Sequence, residues 1–434
     1  MASRLHQRAS WLGRRWASQL AAKPPPLTPR VFPTSGFLEI DASTKMEEER
    51  MKSYKAEHFY PVRLGEVFQS QYQVVAKLGF GQTSTTWLGH DLQYVVPCAL
   101  ERGFVFTNAV QKNREPAVYE HMKKHAPELA PLHIRPLEDS FKVQGPHGSH
   151  EILVQVPVAK SLVASQSTAD AFVLSPSIVK SSLKQVVSAL DFLHSDAHVI
   201  HTGKLSPPLS RLAPWQPEPS HNMRFASFKD LNECLPSLES AELTCPRPRK
   251  VLEDRTIYGS RGVFATVGPM YLCNFGQARI GDQATGNAMA TSYRAPEIIL
   301  GMKWSYPVDM WSVGLSAWDM LHAQTLFAVY HSVDQKLNDA RHLAYMIALF
   351  GPPPLDYLKR SDKYLDFWDE HGDWRGIVPI PHRSTFENLE RQMEGEEQTR
   401  FLDFMRSLLG WEPEKRLTAK QALSHPWLLN DTYM

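Results

Sequence analysis

The hydrophobic pattern of the chain changes from that of strands to that of helices after its first third. Tyr72–Leu92 reads as two strands joined by a turn that contains glycine, with β-branched and aromatic residues on both sides. A third strand is predicted at Val95–Leu100, a helix at Glu115–Lys124 and a strongly apolar strand at Glu151–Val158. In Ile178–Leu193 apolar residues recur at helical spacing, and further helical stretches follow. A small strand-rich part followed by a large helical part predicts an α+β fold with two lobes.

The charge balance and the cysteine content exclude several classes of protein. The 434 residues include 47 Lys and Arg against 46 Asp and Glu, a net charge of +1, which argues against a protein that coats nucleic acid. Four cysteines in a chain of this length do not form a disulfide framework. No apolar run approaches the roughly 18–20 residues that a membrane span needs. We therefore expect a soluble, intracellular protein with no direct nucleic-acid binding.

The first 38 residues differ from the rest because they carry six basic residues and no acidic residue before Glu39. Trp11, Leu12, Trp16 and Leu20 would lie along one face of a helix, as in a mitochondrial transit peptide. A disordered basic tail explains the same composition equally well. Both alternatives place residues 1–50 outside the fold, as a disordered or targeting extension.

Four stretches of sequence together point to one family. The turn at Gly79–Ser84 could bring backbone N–H groups close to nucleotide phosphates, although an ordinary hairpin has the same pattern. Farther along are "YLCNFGQAR" at Tyr271–Arg279, "YRAPEIILGMKWSYPVDMWSVG" at Tyr293–Gly314 and "WEPEKRLTAKQALSHPWL" at 411–428. With these motifs, residues 72–428 resemble the eukaryotic protein kinase domain. The resemblance implies a bilobal protein kinase-like fold, with a small β-rich N-lobe and a large α-helical C-lobe.

Further details of the sequence narrow the resemblance. His201-Thr202, "DRTIYGSR" at Asp254–Arg261 and a long insert at about 203–262 are similar to the fungal SR-protein kinases, which phosphorylate serines in Arg-Ser repeats. This resemblance implies an N-lobe at about 72–157 and a C-lobe at about 160–428. It also implies protein partners, including Arg/Ser-rich peptides, and a cytoplasmic or nuclear location.

The positions that hold such a fold together match the family. Glu297, in Ala-Pro-Glu, and Arg416 correspond to an ion pair that would lock the activation segment to the helical core. Asp309 corresponds to the aspartate that steadies the catalytic loop, and His201 to the histidine of that loop. Phe275-Gly276 corresponds to the turn that follows the metal-binding residue.

The resemblance also assigns a weak nucleotide site. Gly79, Gly81 and Ser84 belong to the turn over the phosphates, and Glu115 corresponds to the helix glutamate that holds the phosphate-binding lysine. ATP is therefore a candidate ligand.

The lysine itself is missing from the expected strand. No lysine occurs between Lys77 and Lys112, and the position falls on Glu101 or Cys98, depending on where a gap is placed. An anion at Glu101 would repel the phosphates. Arg102 is the nearest cation that could substitute for the lysine.

The other chemical positions are also altered. Phosphoryl transfer requires carboxylates that hold Mg²⁺ and a base at the acceptor hydroxyl. The base position is Gly203 and the metal-binding asparagine position is Pro208. Asn274 stands in place of the metal-binding aspartate; its amide oxygen could ligate Mg²⁺ weakly, without a negative charge. No catalytic residue is intact and Mg²⁺ binding is doubtful, so the sequence predicts a pseudokinase with a partner-binding or regulatory role.

Two alternatives stay open. An active ATP-dependent serine/threonine kinase would be possible if residues 203–222, with their five prolines, are a misread exon boundary or if the catalytic roles have moved to other residues. A pure interaction module could bind basic Arg-Ser peptides without ATP. Glu394–Glu397 is a candidate acidic surface for the latter, although a solvated charge run has the same composition.

His194, His198 and His201 lack cysteines at metal-ligand spacing and are expected to be structural.

Overall fold

The computed structural model describes residues 26–93, 101–107, 114–158, 174–203, 223–225, 237–261, 270–329, 334–382 and 385–429. Within these ranges a six-stranded sheet precedes a large helical region, which confirms the expected α+β arrangement. Pro208 and Cys98 lie outside the described residues.

The sheet is antiparallel and has the strand order β1-β2-β3-β4-β6-β5. Its strands are β1 (Val67–Phe68), β2 (Tyr72–Gly81), β3 (Ser84–Asp91), β4 (Glu101–Thr107), β5 (Leu137–Gly145) and β6 (Gly148–Gln155). The expected hairpin is present, with its turn at Gln82-Thr83. The next described strand is Glu101–Thr107, and the strand predicted at Val95–Leu100 lies outside the described residues.

Short strand pairs connect the helical region to the sheet. They are β7 (Val199–Ile200) with β12 (Arg279–Ile280), β8 (Met223–Phe225) with β11 (Met270–Leu272), and β9 (Arg249–Val251) with β10 (Thr256–Tyr258). The β7–β12 and β8–β11 pairs bring the loop after residue 200 next to the turn after residue 272. The candidate catalytic residues lie in these two segments.

The described helices are α1 (Glu115–His125), α2 (Pro176–Ser195), α3 (237–244), α4 (Pro296–Ile299), α5 (Pro307–Leu321), α6 (Gln335–Phe350), α7 (Leu355–Leu358), α8 (Phe386–Leu389), α9 (Gly395–Leu408), α10 (Ala419–Leu423) and α11 (Pro426–Leu429). Helix α2 repeats apolar residues at helical spacing and packs against α5, α10 and β11. Helix α5 is buried along almost its whole length, so it forms the centre of the core.

The N-terminal segment differs from the expectation for residues 1–50. Residues 26–50 pack on the sheet and on the insert. Phe32 and Met46 are buried there, and the backbone of Glu39 forms a parallel β-bridge with that of Arg249. Part of the insert, 237–261, is likewise folded as α3, β9 and β10. The expectation was wrong for residues 26–50 because their charged side chains find partners far along the chain. Residues 1–25, including the transit-peptide pattern, lie outside the described residues.

No helix in the described part of the chain is long and apolar enough to cross a membrane.

Candidate nucleotide site and catalytic loop

The carboxylate of Asp309 holds the loop after β7. Its two oxygens accept hydrogen bonds from the backbone N–H groups of His201 (2.8 Å) and Thr202 (2.8 Å), and one oxygen also lies 2.9 Å from Nε2 of His194. Asp309 is buried, and Thr202 has a left-handed backbone with φ of 56°. Because two successive amides are bonded to one side chain, the position of the next residue, Gly203, is fixed relative to α5.

His201 is a neutral, buried imidazole. Its Nδ1 accepts a hydrogen bond from the N–H of Gly203 (3.2 Å), and its Nε2 lies 3.2 Å from the carbonyl oxygen of Cys273. These contacts assign the proton to Nε2. Burial lowers the pKa of His201 below its usual value, so the ring stays uncharged at neutral pH.

A column of packed side chains joins the sheet side of the molecule to the helical side. The ring of Tyr119, in α1, lies 5.3 Å from that of Phe275, and Phe275 lies 5.1 Å edge-on from His201. The backbone N–H of His201 in turn donates to Asp309. Phe275 is fully buried, so the turn to which it belongs is positioned by contacts from both lobes.

Asn274 begins that turn in a left-handed conformation, with φ of 63° and ψ of 70°. Asparagine tolerates this region better than most residues. The next residues, Phe275–Gln277, form one short 3-10 turn that contains Gly276, and Thr202 Oγ1 donates to the carbonyl oxygen of Gln277 (2.7 Å). The backbone at Asn274 is therefore held in place, although the side chain carries no charge.

Glu115, expected to hold the lysine, lies beside the turn. Its carboxylate accepts a hydrogen bond from the N–H of Phe275 (3.2 Å). Burial raises the pKa of Glu115, an effect that the Phe275 N–H, the charge of Arg135 and the Gln155 amide oppose. Arg135 and Gln155 were not predicted as neighbours. A charged residue between Ile134 and Pro136 was the one sequence signal that could have indicated Arg135.

The pairing of β4 places it in the sheet. Gly103 pairs with Gln155, whose amide lies 3.4 Å from the hydroxyl of Tyr119 in α1. Phe106 lies in the hydrophobic cluster on the other side of the sheet. The sequence of this strand, Glu101–Thr107, contains no lysine.

One position expected for the lysine and its suggested substitute both lie in β4. Glu101 pairs with His90 at the end of β4 that lies away from the glycine turn. Arg102 pairs with Gly89, next to it in the strand, and its role as a substitute for the lysine stays a prediction.

The glycine turn leaves space for a ligand. Gly79 pairs with Thr86 and Gly81 with Ser84 across the hairpin. A Cβ added at Gly79 would meet no atom within 4 Å. The backbone at Gly79 is therefore unobstructed on the side of a Cβ, and the role of the turn in phosphate binding stays a prediction.

The ion pair expected at the base of the activation segment is formed. Arg416 donates from Nη1 and Nη2 to the two carboxylate oxygens of Glu297, at 2.7 and 2.8 Å. Both side chains are buried, and the guanidinium lies 4.8 Å from the ring of Trp311. The bidentate geometry fixes the segment after Ala295 to α5.

Two other predicted features have ordinary structural contacts. In the acidic run, Glu397 pairs with Lys180 (2.7 Å) and accepts from Trp427, while Glu396 pairs with Arg400. Of the three histidines, His198 lies 2.8 Å from Asp282. In the described ranges no three His, Cys, Asp or Glu side chains are grouped so that they could hold a metal ion.

Comparison with known proteins agrees with this architecture. Residues 263–428 match the protein kinase domain profile. A serine/threonine protein kinase of Aspergillus fumigatus is 37% identical over 412 residues, which cover 93% of this chain and 96% of the relative. The serine/threonine-protein kinase SRPK of Physarum polycephalum is 26% identical, with 88% and 91% covered, and SRSF protein kinase 3 of Sus scrofa is 24% identical, with 95% and 94% covered. The bilobal α+β structure and these similarities show that the chain belongs to the eukaryotic serine/threonine protein kinase family and is related to the SR-protein kinases.

Proposed function

We propose that this protein is a kinase-fold protein with impaired or absent phosphoryl transfer, which acts by binding protein partners. The observation that carries the proposal is the position of Gly203. The Asp309 carboxylate holds the two preceding amides and thereby fixes the base position. The residue at that position is a glycine, which has no side chain that could accept a proton. A positioned general base contributes about 10²–10⁴ in rate, which corresponds to roughly 3–5 kcal/mol of barrier.

The remaining residues do not fit a catalytic Mg²⁺ site. Mg²⁺ in kinases is held by an aspartate and an asparagine and neutralises the phosphate charge. Here Asn274 is the one candidate among the described residues, and an amide oxygen alone brings no negative charge.

We propose ATP, rather than Mg²⁺, as the ligand of the cleft. The open space at Gly79 supports a nucleotide-binding role. Because the sequence has no lysine between Lys77 and Lys112, the phosphates would lack their usual cation, so we expect weak binding that depends little on Mg²⁺.

The relatives suggest the partners. Their names describe SRSF protein kinases and an SRPK, so we propose that this chain binds Arg/Ser-rich protein segments and is located in the cytoplasm or the nucleus. Active phosphorylation is the alternative function. It is favoured by the intact column through Phe275 and the Glu297–Arg416 pair, and by the name of the 37% identical relative, a serine/threonine protein kinase.

Calorimetric titration with ATP, with and without Mg²⁺, tests the proposal. We expect weak binding whose affinity changes less than about twofold when Mg²⁺ is added. Asn274→Asp supplies the missing charge and should make binding at least fivefold tighter with Mg²⁺ than without. Asn274→Gly is the matched control, because glycine keeps the left-handed backbone but adds no ligand.

Transfer of phosphate from ATP to an Arg-Ser peptide by the unaltered chain would overturn the proposal. The alternative of a misread segment has its own test. A transcript sequenced across the codons for Thr202 to Phe225 that reproduces these residues removes it, and a transcript that encodes an aspartate at position 203 would establish it.

A further inference from the structure

Three consecutive glutamates in the N-terminal segment each bind a different element. Glu48 accepts a hydrogen bond from Nζ of Lys77, in β2, at 2.5 Å. Glu49 accepts from Nζ of Lys250, in β9, at 2.8 Å. Glu47 accepts from the N–H and the hydroxyl of Ser260, which follows β10. All three lie in one 3-10 turn, so this single turn joins the sheet to the insert.

Lys77 is the point at which these contacts reach the nucleotide turn. It precedes Gly79 by two residues, and the pairing of β2 with β3 has a register shift between them. Its side chain is only 2% exposed, and its Nζ lies 5.6 Å from the ring centre of Phe80. Its carbonyl oxygen accepts a hydrogen bond from the N–H of Arg261 (2.8 Å). Both the side chain and the backbone of Lys77 are therefore held from outside the sheet.

The insert is itself tied together by buried charge. Glu242, in α3, accepts from Arg249 (3.2 Å) and from Arg261 (2.6 Å). Glu239, one helical turn earlier, pairs with Arg30 of the N-terminal segment at 3.0 Å. Since Glu239 and Glu242 are each 2% exposed, their buried charges depend on these partners, and the loss of all of them would leave an uncompensated buried charge.

We propose that residues 26–58 form an intramolecular strap that, together with the β9–β10 hairpin, sets the position and the mobility of the Gly79–Ser84 turn through Lys77. The strap acts on the outer side of the sheet, away from Glu115. Release of the strap would free Lys77 and loosen the turn, while the helical lobe keeps its packing. The state of this N-terminal segment thus controls access to the nucleotide site. This inference does not depend on whether the chain transfers phosphate.

Hydrogen exchange measured by mass spectrometry on the full chain tests the strap. Glu48→Gln removes the nearer of the two carboxylates that face Lys77, since Glu47 lies 4.0 Å from its Nζ. We expect amides in residues 78–86 to exchange at least tenfold faster, together with those of residues 45–51, while α2 is unchanged. Glu57→Gln is the matched control, because Glu57 lies in the same strap but is exposed.

Faster exchange in residues 45–51 with unchanged exchange in 78–86 would show that the strap only covers the sheet, and the proposal would fail. If Glu48→Gln accelerates exchange throughout the chain, Ser260→Ala decides the question. This change removes one hydrogen bond to Glu47 and leaves Lys77 paired. The proposal then predicts that amide exchange becomes about two- to threefold faster in residues 45–51 and 78–86 alone. Unchanged exchange rates there would overturn it.

Discussion

At the scale of single residues, burial determines how the charged and ionisable groups of the helical lobe behave. Glu297 and Arg416 are buried as a complete bidentate pair, which satisfies both charges. His342, in α6, is buried near a different pair, Arg294 with Asp339, whose atoms lie 3.2 Å apart. Burial, and then the positive charge of Arg294, lower the pKa of His342 to about 3. This ring therefore stays neutral in the folded protein over most of the acid range.

The low pKa of His342 predicts a loss of stability in acid. The unfolded chain takes up a proton near pH 6.5, whereas the folded chain does so only near pH 3, so stability falls as the pH drops through this window. At pH 5 this effect lowers the free energy of unfolding by about 2 kcal/mol relative to pH 7. Urea unfolding at pH 7 and pH 5 measures it. In the His342→Leu variant the loss between the two pH values should be smaller by this amount, and equal losses in both proteins would refute the assignment.

At the scale of elements, helix α5 shows why a helix in the centre of the core contains glycine. A Cβ added at Gly314 would lie 2.9 Å from Cδ2 of Leu409 and 3.3 Å from Cβ of Leu408, at the end of α9. Without that side chain the two helices can approach closely. The glycine in this motif thus has a packing role, in addition to its place in the sequence resemblance.

Gly314→Ala is expected to destabilise the fold by up to about 2 kcal/mol, because overpacking against Leu409 costs about 1–3 kcal/mol and alanine in a helix regains about 1 kcal/mol. Gly410→Ala is the matched control, since its Cβ would meet nothing within 4 Å and its effect should stay within about 0.5 kcal/mol. Chemical denaturation gives both values. A Gly314→Ala protein that is more stable than the original would contradict the packing argument.

At the scale of the whole molecule, the two lobes are joined by the column of Tyr119, Phe275, His201 and Asp309. Tyr119 belongs to α1, and Asp309 belongs to the buried helix α5. Phe275 has no exposed surface and contacts the rings on both sides. The column is complete although the chemical groups around it are altered, so the fold of the cleft does not depend on catalytic residues.

Phe275→Ala should cost about 3–5 kcal/mol of stability and loosen α1 more than α5, because the side chain that couples the lobes is removed. Phe401→Ala serves as the control, since Phe401 is equally buried but lies in α9, within the helical lobe. Hydrogen exchange at residues 115–125 separates the two variants. If both variants accelerate exchange in α1 to the same extent, the column does not couple the lobes.

Much of the fold could be predicted because it rests on local patterns. The hairpin around Gln82-Thr83 and the helix at Pro176–Ser195, expected at Ile178–Leu193, follow from periods of two and of about 3.6 residues. The folded state of residues 26–50 could not be predicted in this way. Glu47–Glu49 lie in the extension that was expected to stay outside the fold, yet their hydrogen-bond partners are 29 to 213 residues away along the chain.

The sequence by itself determined which chemical groups the cleft can contain. The sequence alone shows a glycine at position 203, an asparagine at position 274 and no lysine between Lys77 and Lys112. Only the tertiary structure decided how charges are paired: Lys77 with Glu48 outside the cleft, and Glu115 with the N–H of Phe275 inside it. The reason is physical. A buried charge must be compensated by whatever neighbour the fold supplies, and that neighbour is set by packing, not by distance along the chain.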